Sequence, residues 1–127
     1  MKSSESDFIA ECEDILEEAG RLLLDIQDGL EEGVDPDLIN ALFRAMHTLK
    51  GLGGLFGRQD ISDISHALES LLDDIRLGKV ELDDGGVNLF FKYVDILRSL
   101  VNGPGGEGGE ARECQAEIAS FRESLSA

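Results

Sequence analysis

The feature that most constrains this chain is the spacing of its apolar residues, which return every three or four positions almost from one end to the other. Phe8, Cys12, Ile15, Leu16, Ala19, Leu22, Leu23, Ile26 and Leu30 fall at i, i+4, i+7 and i+8, with Glu and Asp filling the remaining positions. This is one long helix with a single apolar stripe, ending near Gly29 to Gly33. In "VDPD", Asp35 is placed to cap a second helix with Pro36 at its first position. That helix carries Leu38, Ile39, Leu42, Phe43, Ala45, Met46 and Leu49. A third, opened by Asp60 and ended by Gly78, turns Ile61, Ile64, Leu68, Leu71, Leu72 and Ile75 inward, and Cys12 reads as core filling in the first. A fourth, opened by Asp83 or Asp84, does the same with Val87, Phe90, Phe91, Val94, Leu97 and Val101, and the Phe90, Phe91 and Tyr93 cluster reads as core.

No alternation of the β type persists, and the connections are short, so successive helices are expected to run antiparallel. The expected fold is all-α: an up-down-up-down four-helix bundle over residues 1–101, a Gly-rich linker at 102–109, and a short additional C-terminal helix over 110–127. The last helix has a thin apolar stripe of Ala111, Cys114, Ile118, Phe121 and Leu125, compatible with packing on the bundle or with swinging free.

Charge narrows the function classes. The 127 residues include 27 acidic and 11 basic side chains, a formal net charge of −16. Binding of nucleic acid through a basic face is excluded, as is docking on an anionic membrane. No apolar run approaches a membrane span, and "MKSSESDF" lacks the apolar stretch of a signal peptide, so the expected location is the cytoplasm. Cys12 and Cys114 form no CxxC pair, which leaves neither a disulfide framework nor a cysteine zinc site.

The second helix ends in an unusual string, "AMHTLKGLGGLFGR". Glycine in a helix interior costs about 1 kcal/mol relative to alanine, yet Gly51, Gly53, Gly54 and Gly57 all lie here. Arg44, His47, Lys50, Gly51 and Gly54 are spaced to share one helix face, with Phe43 and the leucines left to the core. The expected result is a solvent-facing imidazole with an ammonium one turn away and a recessed backbone where a partner can press close. On the third helix, "DISHALES" spaces Asp63, His66 and Glu69 at i, i+3, i+6. If that stripe faces the second helix, a carboxylate can accept from Nδ1 of His47, fixing the tautomer and freeing Nε2 as the nucleophilic nitrogen. A histidine on a helix surface is ordinarily inert; the neighbouring lysine, glycines and carboxylate are what single out His47.

Taken together, "HTLKG" followed by "GGLFG" resembles the HxxKG signature of histidine-containing phosphotransfer domains. "LFRAMHTLKGLGGLFG", with "HALESLLDDIRLGKVEL" and "NLFFKYVDIL" in order behind it, is similar to the amino-terminal phosphotransfer domain of chemotaxis-type histidine kinases over about residues 6–101. The resemblance implies that His47 takes a phosphoryl group from an ATP-using kinase domain and passes it to an aspartate of a response-regulator receiver domain. It further implies that Glu69 holds the His47 ring, that Lys50 lies near the phosphoryl oxygens, that His66 joins the network, and that Gly51 gives the partner room; the shared helix face adds Gly54 and Arg44 as docking residues. Leu52 and Gly53 depart from the family's usual residues, which bears on helix packing more than on chemistry.

ATP and Mg²⁺ are expected on the partner domains, with no cofactor or metal held by this chain. No strand and no GK[ST] accompany the glycines, which argues against a nucleotide loop, and the paired Glu-x-x-His motifs of a di-iron bundle are missing. The alternatives are a free-standing relay protein and a helical interaction module without chemistry.

Overall fold

The computed structural model describes residues 2–103 and 109–125. Five α-helices are present among them, and no strand: α1 (Lys2–Asp28), α2 (Pro36–Leu55), α3 (Gln59–Arg76), α4 (Asp84–Asn102) and α5 (Gly109–Leu125), with a 3₁₀ turn at Leu30–Glu32 after α1. α1 packs on α2 and α4, α3 packs on α2 and α4, and α5 lies against α3. The expected up-down-up-down bundle is what the chain adopts.

The stripes read from the sequence meet in one core. Leu16, Leu23 and Ile26 of α1 are buried with Ile39, Leu42, Met46 and Leu49 of α2, Ile61, Ile64, Leu68 and Leu72 of α3, and Phe90, Tyr93 and Leu97 of α4. Cys12 is fully buried among them, and burial pushes its thiol up to about 11. α1 begins well before the first apolar residue of its stripe, at Lys2 rather than near Phe8. Among the described residues no helix is long and apolar enough to cross a membrane.

Helix ends follow local chemistry. Asp35 caps α2, its side chain accepting from the Asp37 N–H at 2.9 Å, with Pro36 at the first position. Asp83, rather than Asp84, caps α4 by accepting from the Gly86 N–H at 2.8 Å. Asp60 is not a cap. Gly57, at φ 72°, closes α2 in a Schellman turn in which the Arg58 N–H reaches the Gly53 carbonyl at 2.7 Å. That turn is so tight that α3 starts at once, leaving Asp60 inside its first turn. There its carboxylate accepts from the Ile61 N–H and pairs with Arg58, whose guanidinium also donates to the Leu100 carbonyl at the end of α4. The position is favourable, since a helix N-terminus attracts negative charge.

α5 packs on the bundle. Cys114 and Ile118 are buried, Phe121 sits against the core, and polar contacts frame them: Lys92 and Tyr93 donate to Glu117, and Arg122 pairs with Asp74. Of the Gly-rich linker expected at 102–109, residues 104–108 lie outside the described residues, as do the side chains of Ala111 and Leu125.

Candidate functional site

Because the α2–α3 connection is only three residues long, the two helices form an antiparallel hairpin, and residues at matching distances from the turn face each other. His47 of α2 meets Glu69 of α3 in this way. Its Nδ1 lies 2.5 Å from Glu69 Oε2, while the other carboxylate oxygen, Oε1, accepts from Lys50 Nζ at 2.7 Å. One carboxylate thus serves two partners a turn apart on α2. A carboxylate only accepts, so Nδ1 carries a proton, and in the neutral ring Nε2 is then the nitrogen with the free lone pair.

Burial divides these roles. The Glu69 side chain is 9% exposed and the His47 side chain 63% exposed, so the anchor is interior and the ring stands in water. Burial works to raise the Glu69 pKa, but hydrogen bonds from Lys50 and then His47 outweigh it and hold the carboxyl below its usual range. The carboxylate is therefore charged at neutral pH and acts as a fixed acceptor.

Phe43, Arg44, His47, Thr48, Lys50 and Glu69 line a depression of about 470 Å³ around the ring. Arg44, exposed on α2, is one of these lining residues. Phe43, expected to serve the core, is half-buried against it and also lies alongside the imidazole, the two ring planes within 8° and the centroids 6.4 Å apart. Long side chains on a helix lean toward its N-terminus, so the i and i+4 rings meet.

The glycines divide into two kinds. A Cβ at Gly51 would meet nothing within 4 Å, and one at Gly54 only Ser62 Oγ at 3.9 Å, so both positions are open to the outside. Gly53 is different: a Cβ there would fall 2.9 Å from the Ser62 nitrogen and 3.0 Å from the Arg58 carbonyl. The bare backbone at Gly53 is what lets α3 begin against α2. Leu55 is exposed beside Gly54, while the Phe56 ring packs on buried Phe8 of α1, the centroids 4.8 Å apart.

The expected Asp63–His66–Glu69 stripe does not form. Each step of three residues falls about 60° short of a full helical turn, so when Glu69 is buried against α2 the others rotate away. His66 is exposed and outside the His47–Glu69–Lys50 network, and Asp63 accepts instead from Gln59 at 2.6 Å. Among the described residues no cluster of three or more His, Cys, Asp or Glu is placed to hold a metal ion.

The model of the Hpt domain family matches residues 6–124. The chain belongs to the Hpt domain family. This Hpt domain is 36% identical over 110 residues to the chemotaxis protein CheA of Rhizobium meliloti and 38% identical over 96 residues to CheA of Cereibacter sphaeroides, covering 85% and 76% of the present chain. It spans about one-seventh of those relatives' length (14% of each). Among solved structures it is similar to the phosphorylated P1 domain of CheA3 in complex with CheY6 from R. sphaeroides, with a TM-score of 0.87 over 99% of this chain and all of that one at 22% identity. That likeness establishes the Hpt domain's helical fold.

Proposed function

We propose that this Hpt domain carries a phosphoryl group on Nε2 of His47, received from the ATP-bound catalytic domain of a histidine kinase and handed to an aspartate of a response-regulator receiver domain. The observation that supports it most is the division of labour at His47: Nδ1 tied to a buried, charged carboxylate and the opposite edge of the ring open to solvent.

The chemistry follows from that arrangement. The Nε2 lone pair attacks the γ-phosphorus; the P–N bond forms as the bond to the ADP oxygen breaks. Nδ1 keeps its proton, so positive charge grows on the ring, and Glu69 lies 2.5 Å away to offset it. In the second step a receiver carboxylate attacks phosphorus and the neutral imidazole departs. Lys50 is held by Glu69 on the same face, within a turn of the incoming phosphoryl oxygens. ATP and Mg²⁺ are brought by the partner domains, where metal neutralises charge on the moving group. These partners place the reaction in the cytoplasm. Gly51, Gly54 and Arg44 form the docking face, with exposed Leu55 continuing it. The likeness to a P1 domain described as phosphorylated and in complex with CheY6 supports a receiver as the second partner.

The test is labelling by a chemotaxis-type kinase catalytic domain and γ-labelled ATP. We expect acid-labile phosphate on the wild-type chain and none on His47→Gln, with unchanged far-UV circular dichroism. Label retained by His47→Gln, or absent from the wild type, overturns the reading.

A further inference from the structure

A hydrogen bond at Nδ1 holds one atom of the His47 ring and leaves the ring free to turn about it. The terminal torsion of histidine is broad and roughly two-fold, and an exposed side chain has little else to restrain it. The ring is nonetheless parallel to Phe43. Phe43 in turn is covered by a cation: the Arg76 guanidinium carbon lies 4.3 Å from its ring centroid. Arg76 is itself fixed by Asp73, at 2.5 Å.

These contacts join two matching stripes. α2 supplies Phe43, His47 and Lys50 at i, i+4 and i+7; α3 supplies Glu69, Asp73 and Arg76 at the same intervals. Across the antiparallel hairpin, Arg76 meets Phe43 while Glu69 meets His47 and Lys50. We infer that Phe43, backed by Arg76, is a positioning residue that sets the plane of the His47 imidazole and so keeps Nδ1 on Glu69 and Nε2 outward. Parallel offset aromatic rings at this separation attract, and a cation over the second ring pins it in place. The Arg76–Phe43 pair supplies the second constraint that a single hydrogen bond lacks.

The inference rests on the reading of His47 as the phosphoryl carrier, and its test separates the two. In the full chain, ¹⁵N-labelled at histidine, the ring tautomer is read by long-range ¹H–¹⁵N correlation above the titration range, with exposed His66 as internal reference. Phosphoryl uptake is timed on the same samples. In Phe43→Leu we expect the Nε2–H tautomer of His47 to rise about threefold or more and uptake to slow by about fivefold, since nucleophile orientation governs rate. Arg76→Met, which keeps the apolar stem and carries the test should Phe43→Leu not fold, should move both in the same direction by about twofold. His66 should not change. A His47 tautomer ratio equal to that of the wild type in both variants overturns the inference, whatever the uptake rates. A wild-type chain that takes up no phosphate removes the carrier reading while the tautomer still decides the role of Phe43.

Discussion

Glu69 and Glu117 make the same pair of contacts with opposite consequences. Each accepts from an aromatic side chain and from a lysine: His47 Nδ1 and Lys50 for Glu69, the Tyr93 hydroxyl and Lys92 for Glu117. In both, those partners hold the carboxyl below its usual range, against the opposing effect of burial. At the first site the carboxylate is interior and the ring exposed. At the second, Tyr93 is wholly buried while the Glu117 side chain is 47% exposed. An interior carboxylate presents a ring outward for chemistry; an exterior one anchors an interior ring and the helix that bears it. Composition and partner type do not separate a reactive site from a fastening. The direction of burial does.

Exchanging the two carboxylates for amides is the severest trial of that contrast. Glu69→Gln should slow phosphoryl uptake by roughly tenfold or more, because the amide neither offsets charge on the ring nor enforces the tautomer. Glu117→Gln should leave uptake at the wild-type rate and instead speed hydrogen exchange in α5. Equal losses of uptake in the two variants would erase the distinction.

The glycines sharpen the same contrast between open and closed surface. Gly53→Ala is expected to destabilise the fold by about 1–3 kcal/mol, since its Cβ would press on the α3 backbone. Gly51→Ala should instead stabilise by up to about 1 kcal/mol. Urea denaturation midpoints at constant slope would read both.

The smallest effect is in pH. Glu69 has a folded-state pKa below its unfolded value, so its contribution is present above the ordinary carboxylate range and is lost as pH falls through the lower folded value. For Tyr93, burial and then the Glu117 hydrogen bond raise the pKa above its ordinary value of 10.0. Its contribution is present below about pH 10 and is lost as pH rises toward the folded value. Thermal melts should therefore lose the Glu69 increment at the acid edge and the Tyr93 increment at the alkaline edge. Glu69→Gln should flatten only the first, and Tyr93→Phe only the second.

The helices, their faces and most of their caps are legible in the sequence because they depend on local spacing: the apolar stripes, Asp35 before Pro36, and Gly78 after α3. His47, Lys50 and Glu69 were legible from spacing supplemented by family resemblance. What escaped depends on the approach of one helix to another. Phe43 does pack against the core, but its second role, beside His47 and under Arg76 of α3, depends on how α3 lies across α2. Asp60 misled because the Gly57 turn leaves no room for a separate capping residue. His66 was given a stripe that helical rotation does not support. α5 has too few apolar residues to announce a packing partner; its remaining fastenings, Tyr93, Lys92 and Asp74, belong to other helices.

The three-residue turn between α2 and α3 also acts as a ruler. His47 and Glu69 are equidistant along the chain from Arg58, the last residue of that turn. Inserting or deleting a single residue on either side would rotate one partner by about 100° away from the other. Length changes between His47 and Glu69 must therefore be compensated across the hairpin for the pair to survive.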